Sequence, residues 1–280
     1  MAEQVKYIDI KKVLAGSGSK RLGSLPDFIT RIIARIICED EMNRIMNKYH
    51  DKIGNEFMPA VIEELKVNVE VTGIENLPEN GRCFFAANHP FGILDGLILT
   101  RIITRKYGSV KAIANEAFLY VPQLRPFIAA VNVFDGSSRD YLQALEEVYS
   151  QDEPISHFPA GEVSRRYHGK FQDCDWQKSF ITKAISSKRD VVPIRFEGRN
   201  SNLFFFIFMF RKTFGIKANI ELILLPSELF RKKGSTIRVI IGKPIPWQTF
   251  DKKHSHFEWA QRVKGVVYGL KSCSTMVKVA

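Results

Sequence analysis

The sequence predicts an α/β fold: a mostly parallel central sheet flanked by helices, with an N-terminal helical hairpin ahead of it. Three observations carry this expectation. From Val67 onward, short apolar or alternating segments take turns with 3.6-periodic ones, the pattern of a parallel sheet with crossover helices. Before Val67 the periodicity is helical only. The chain has 280 residues, 45% hydrophobic and 25% charged, which is enough to bury a large core and too apolar for a disordered chain.

The elements follow in order. Residues 1–23 are polar and rich in Gly, Ser and Lys around Gly16–Lys20, as expected of a loose arm. Ser24-Leu25-Pro26-Asp27 has the chemistry of a helix start, with Ser as cap, Pro in the first turn and Asp three residues on. Apolar residues at 25, 28, 29, 32, 33, 36 and 37 then mark one helical face, with Arg31 and Arg35 on the other. A second helical pattern runs through Ile45, Tyr49, Phe57, Val61 and Leu65, weakened at Gly54 and Pro59. These two patterns make the hairpin, and the division falls between residues 1–66 and a main domain over 67–280. Val67, Val69 and Val71 alternate with Asn68 and Glu70 until Gly73 closes the strand. Further strands are expected at Arg82–Ala87, Val110–Ala114, Ala129–Phe134, Pro154–Phe158, Val191–Phe196, Ile220–Leu225 and Thr236–Ile241. Helices are expected at Asp95–Tyr107, Ser138–Ser150, Trp176–Lys188, Asn202–Phe214 and His256–Leu270.

Composition narrows the function. The net charge of +11 suits an acidic partner, either nucleic acid or an anionic membrane, although singly the basic clusters read as solvated surface. No aromatic RNP-type strand, zinc framework or basic recognition helix accompanies the charge, so nucleic acid is not the expected partner. The four cysteines are scattered, with no C-x-x-C pair, so no metal site is expected. The N-terminus lacks a secretory h-region, pointing to a reducing cytoplasmic setting. The longest apolar run, Leu203 to Phe210, is too short to span a bilayer as a helix.

The most informative stretch is Cys83 to Gly96. A buried-strand pattern ends in Asn88-His89, a Pro90–Gly92 turn follows, and Asp95 opens the next helix. An imidazole at the carboxyl end of a strand, with a carboxylate close enough to fix its tautomer, is what a general base for a hydroxyl requires. Asp95 reads equally well as a helix cap, and His89 as a histidine packed at a turn. Residues six apart on a regular helix face different ways, so the pair meets only if the intervening chain is not helical. Three further points lie at strand ends. Val133–Arg139 delivers Arg139 to a helix mouth, where it could grip an anion or simply be solvated. Phe158-Pro159-Ala160-Gly161-Glu162-Val163-Ser164-Arg165-Arg166 combines a small-residue turn with a dense polar cluster. Val192-Pro193-Ile194 places Pro inside a strand, marking an edge or an irregularity.

At these four places the chain resembles the glycerolipid and lysophospholipid acyltransferase family. Its four blocks occur in order: Asn88, His89 and Asp95; Phe134 to Arg139; Phe158-Pro159-Ala160-Gly161; and Val192-Pro193-Ile194. The resemblance covers roughly residues 67–245. It implies transfer of a fatty acyl group from an acyl thioester, carried by acyl carrier protein or coenzyme A, to a lipid hydroxyl. His89 would be the base and Asp95 its orienting carboxylate, with no cofactor, metal or covalent acyl-enzyme. Asn88, Arg139, Phe158, Pro159, Gly161, Glu162, Ser164, Arg165 and Arg166 would contact substrate. Two departures are visible: five residues separate His89 from Asp95 where the family usually has four, and the third block has Ala160 and Glu162 where Glu and Thr are usual. This form is similar to a bacterial branch labelled hemolysin, itself similar to O-acyltransferases of ornithine- and glycine-type aminolipids. A lysolipid or N-acyl aminolipid acceptor is thus implied, with Arg165-Arg166 available for a carboxylate.

Such an enzyme must reach lipid. The Ser24–Cys38 helix and the aromatic segment Asn202–Lys212 are the two routes, each read equally well as packing onto the domain. Peripheral attachment to an anionic leaflet, at the cytoplasmic face of the inner membrane, is the expectation. The competing readings are a non-catalytic lipid-binding relative, a hydrolase of the same lipids (although no G-x-S-x-G elbow is present) and a nucleic-acid-binding protein.

Overall fold

The computed structural model describes residues 5–15, 24–115, 121–131, 146–167, 169–217, 219–272 and 277–278. Its strands are β1 (Asn68–Thr72), β2 (Cys83–Ala87), β3 (Lys111–Asn115), β4 (Ile128–Val131), β5 (Ile155–His157), β6 (Arg165–Tyr167), β7 (Lys170–Gln172), β8 (Asp190–Glu197), β9 (Thr236–Ile241) and β10 (Val277–Lys278). Eight of them form one sheet in the order β10-β1-β9-β8-β2-β5-β3-β4, while β6 and β7 make a separate antiparallel hairpin. Pairing is parallel from β8 through β4 and between β1 and β9; it is antiparallel at β8–β9 and β10–β1. The mostly parallel sheet inferred from the sequence is therefore the architecture of the chain.

β2 is central because all five of its residues are apolar and buried. Strand alternation sends Cys83, Phe85 and Ala87 into one core cluster and Phe84 and Ala86 into another, so both sheet faces are covered. Burying Phe84 and Phe85 alone contributes roughly 3–6 kcal/mol. The helices are α1 (Ile10–Ala15), α2 (Asp27–Ile36), α3 (Glu39–Lys48), α4 (Phe57–Glu64), α5 (Ile93–Tyr107), α6 (Ser179–Ser187), α7 (Asn202–Thr213), α8 (Leu225–Arg231) and α9 (His256–Gly269). α5 covers one face through Leu94, Leu97, Ile98 and Ile102; α6 and α9 cover the other through Phe180, Ile181, Ala184, Ala260, Val263 and Val267.

The N-terminal region is more divided than a hairpin. The second helical pattern splits into α3 and α4, because Gly54 takes a positive φ of 62° and donates to the Gln123 carbonyl at 2.9 Å. Pro59 falls in the first turn of α4, where its missing N–H costs nothing. Phe57, Met58, Val61, Ile62 and Leu65 join the same cluster as β1 and β2, so these helices share the core of the sheet. Residues 5–10 of the expected loose arm are docked. Asn47 and Asn43 each exchange two hydrogen bonds with the main chain of Val5 and Ile8, and Glu39 accepts from the Ile10 N–H.

One expected strand is corrected. Ile220–Leu225 is not a strand: a 3-10 turn, Ile220–Leu224, runs straight into α8. Its buried residues Glu221, Leu224 and Glu228 recur at helical spacing, while Leu222 and Ile223 face solvent. The β6–β7 hairpin was not anticipated, because its short strands are mostly polar and show no apolar alternation. Pro193 does mark an irregularity. β8 pairs Ile194 with Ile241 but bridges Val191 to Ile245, a one-residue shift of register across the proline.

Candidate active site

β5, β2 and β8 are adjacent and parallel, so the chain leaving each one emerges at the same edge of the sheet. Phe158 follows β5, Asn88-His89 follows β2 and Gly198-Arg199 follows β8. Topology thus gathers the first and third blocks at this edge, while Val192-Pro193-Ile194 lies within β8, where Ile194 pairs with Ala87. The second block, Phe134 to Arg139, lies outside the described residues.

The turn after His89 decides whether the imidazole reaches Asp95. It does: His89 Nδ1 lies 3.0 Å from Asp95 Oδ2. Gly92 makes this possible with a φ of 83°, and a Cβ there would lie 3.0 Å from Leu225 and 3.2 Å from Val163. The same Oδ2 accepts the Phe91 N–H at 2.8 Å and the Gly92 N–H at 2.9 Å. Asp95 therefore caps α5 and holds His89 at once; the two readings of this residue are one geometry. Its side chain is fully buried, and burial pushes its carboxyl up from the ordinary range while the three donors pull against that shift.

The imidazole stacks on the Phe158 ring, with centroids 4.0 Å apart, and 18% of the histidine side chain stays exposed. With Nδ1 on Asp95, Nε2 makes no hydrogen bond to any described residue. The site also holds a carboxylate that the motif reading missed. Asp173, only 1% exposed, accepts the His89 N–H at 3.2 Å and the Ser164 hydroxyl at 2.5 Å through Oδ1, and the Trp176 indole N–H at 2.8 Å through Oδ2. The Ser164 N–H returns to the His89 carbonyl at 2.8 Å, and the Tyr268 hydroxyl accepts the Asp173 N–H at 2.8 Å. Burial again drives this carboxyl up. Asp173 is thus the tie between the first and third blocks. Its only sequence signal is an Asp-Cys-Asp-Trp stretch just before α6.

The other expected contact residues divide. Asn88 is tied to the strand beside it: its amide donates to the Phe196 carbonyl at 3.0 Å and accepts the Phe196 N–H at 2.7 Å. It clamps β2 to β8. Pro159 and Gly161 shape the turn, with the Gly161 N–H donating to the Phe158 carbonyl at 3.0 Å. Glu162 accepts the Tyr167 hydroxyl. Arg165 is wholly buried: its Nε donates to Glu221 at 3.0 Å, Nη1 to the Val163 carbonyl, and its guanidinium lies over the Phe204 and Phe208 rings. Arg211 also pairs with Glu221, at 2.9 Å. A buried Glu with two Arg partners locks α7 and the 220–224 turn onto β6, so Arg165 is placed as a strut. Arg166, next in sequence, is exposed and lies 5.9 Å from the Phe171 ring centroid.

An imidazole oriented by a buried carboxylate, with one ring nitrogen open at the strand ends, defines a site able to take a proton from a hydroxyl. An acyltransferase family model matches residues 12–275. The chain belongs to that acyltransferase family. It is 40% identical over 269 residues to the lyso-glycine lipid O-acyltransferase of Phocaeicola vulgatus, covering 96% of each protein. It is likewise 40% identical over 264 residues to the lyso-glycine lipid O-acyltransferase of Bacteroides thetaiotaomicron, covering 94% of this chain and 97% of that protein. Among solved structures, the 1-acyl-sn-glycerophosphate (LPA) acyltransferase PlsC from Thermotoga maritima aligns over 89% of this chain and 95% of its own, at 15% identity and a TM-score of 0.44.

Proposed function

We propose that this acyltransferase moves a fatty acyl group from an acyl thioester, carried by acyl carrier protein or coenzyme A, to the hydroxyl of a lyso-glycine-type lipid. The observation that carries the reading is the 3.0 Å His89–Asp95 pair, with Nε2 left open at the ends of parallel strands. Nε2 takes the hydroxyl proton as the oxygen attacks the thioester carbonyl. The new carbon–oxygen bond forms, the carbon–sulfur bond breaks, and the proton passes to the departing thiolate. Asp95 holds the Nδ1–H tautomer and balances the transient imidazolium. The acceptor class rests on the two relatives whose name specifies a lyso-glycine lipid.

The lipid is met in place, at the cytoplasmic leaflet of the inner membrane. Among the described residues no helix is long and apolar enough to cross a bilayer. Leu203, Phe206, Phe210 and Phe214 are exposed in and just beyond α7 at spacings of three and four, so they share one side of that helix. Phe28 and Ile32 are exposed on α2, whose Ile36 packs against the Phe204–Phe205–Leu224 cluster beneath α7. The exposed cations Arg31, Arg35, Lys212 and Lys217 lie on or beside the same segments. Apolar side chains with a basic fringe suit an anionic interface.

The test is acyl transfer by purified protein from acyl carrier protein or coenzyme A thioesters to a panel of lysolipids. Ester formation on a lyso-glycine lipid is expected. Transfer to lysophosphatidic acid alone would overturn the acceptor assignment, and no transfer with any thioester would overturn the activity.

A further inference from the structure

The sequence offered Arg165-Arg166 as one anion-binding pair, and the fold splits it. Arg165 turns inward to Glu221; Arg166 turns outward to Phe171. At the same ring a second guanidinium arrives from a different strand: Arg199, 4.3 Å from the Phe171 centroid. Phe171 and Arg199 line a cleft of about 140 Å³ whose wall also includes Asn88 and Pro90, the two chain neighbours of His89. Among the described residues neither Arg166 nor Arg199 forms an ion pair, unlike Arg165 and Arg211.

Arg199 is held from several sides. Gly198 turns the chain at the end of β8 with a φ of 130°, in a position where a Cβ would lie 2.4 Å from the Phe91 ring. Lys232 Nζ donates to the Arg199 carbonyl at 2.8 Å, and Arg199 Nη1 donates to Asn202 Oδ1 at 2.8 Å. The guanidinium lies over Phe171 and leaves donors for a ligand. Arg195, also in the cleft, spends Nη1 on the Tyr268 and Leu270 carbonyls. Glu197 is the one acid in the cleft wall.

We infer that this cleft binds the acceptor's free carboxylate, with Arg199 as its principal partner and Arg166 as a second cation at the rim. A glycine joined to a fatty acyl group through nitrogen keeps its carboxylate, a planar monoanion that matches the two-pronged guanidinium. Glu197 sets the charge of the cleft against a phosphate monoester, which carries close to two negative charges at neutral pH. Anchored there, the acceptor has its headgroup beside the main chain of His89. Phe171, in the overlooked β6–β7 hairpin, is the platform on which both guanidiniums rest.

The inference rests on the proposed acceptor class, so two measurements separate them. The first is equilibrium binding of a non-reacting probe, an N-acylglycine without a free hydroxyl, against its primary amide. Wild type should prefer the carboxylate by about 10–100-fold, the range of a charge-assisted hydrogen bond, and Arg199→Gln should lose that preference while melting like wild type. Arg199→Lys should keep part of it. The second is transfer to lyso-glycine lipid, where Arg199→Gln should raise KM about 10–100-fold with kcat within about threefold. Equal binding of acid and amide by wild type, or a preference that survives Arg199→Gln, overturns the carboxylate site. Arg199-dependent binding without any transfer upholds the site and overturns the enzymatic reading.

Discussion

Asp95→Asn isolates the charge at the centre of the site. All three donors, from His89, Phe91 and Gly92, converge on Oδ2, while Oδ1 is buried without a partner. An asparagine can place its oxygen where Oδ2 stands and keep the three hydrogen bonds, the imidazole tautomer and the turn. Only the charge leaves. With a His89 Nδ1–Asp95 Oδ2 separation of 3.0 Å, a unit-charge pair is worth about 5 kcal/mol at an effective dielectric of ~20. The amide dipole retains part of this, so roughly 2–4 kcal/mol of support for the imidazolium is lost, or about 30–1000-fold in kcat. The new amide N–H₂ occupies the empty Oδ1 position as a buried unpaired donor at about 1–3 kcal/mol, offset by ending the burial of a carboxylate. Steady-state kinetics beside a thermal melt read both effects: kcat down by that factor, KM within about threefold, and a melting point close to wild type. Asp95→Ala, which also drops the Phe91 and Gly92 anchors, should melt lower. A folded Asn variant with kcat within about threefold of wild type would falsify the role given to the carboxylate.

Asp173→Asn should both destabilise and slow the protein. An amide cannot accept on both sides, so one of the three buried donors loses its partner at about 1–3 kcal/mol, seen as a fall of roughly 2–10 °C in Tm by calorimetry. A fall in kcat of about tenfold with little change in KM should accompany it, and a variant identical to wild type in both would remove Asp173 from the site's support. Phe206→Ser combined with Phe210→Ser should weaken flotation with anionic vesicles by about 10–100-fold, since each phenyl ring carries roughly 1.5–3 kcal/mol when fully buried; unchanged flotation would move the membrane face elsewhere. Acid stability should bend near His157, whose Nδ1 is buried without a partner and whose pKa is pushed down to about 4 by loss of hydration. The unfolded chain takes up that proton near pH 6.5 and the folded one only near pH 4, so stability is full above pH 6.5 and falls as pH drops through that window. The residue is only partly buried, which limits the loss to at most about 3 kcal/mol. His157→Gln should flatten this limb in denaturant titrations between pH 7 and 4, and an unaltered slope would count against it.

Much of this was legible in the sequence because the strongest signals are local. Cys83–Ala87 is apolar at every position and stops at a Pro/Gly turn, so a buried strand with His89 at its end follows from pattern alone. The meeting of His89 with Asp95 depended on Gly92 adopting a positive φ, which the Pro90–Gly92 turn made available. What escaped was set by long-range partners. Arg165 reads as a surface charge until Glu221 and Arg211, distant in sequence, are brought around it. Asp173 fits no spacing template, because its partners His89, Ser164, Trp176 and Tyr268 come from the turn after β2, the stretch before β6, the segment before α6 and α9. Ile220–Leu225 is a short apolar run in which strand and helix look alike, and the ion pairs of Glu221 decide for the helical turn.

The most direct test of the whole account is His89→Ala, assayed beside wild type for acyl transfer to lyso-glycine lipid, with a thermal melt to confirm folding. Removing a general base predicts a fall in kcat on the order of 10²–10⁴, with KM and melting point little changed. A folded His89→Ala protein that turns over at the wild-type rate would contradict the account at its centre.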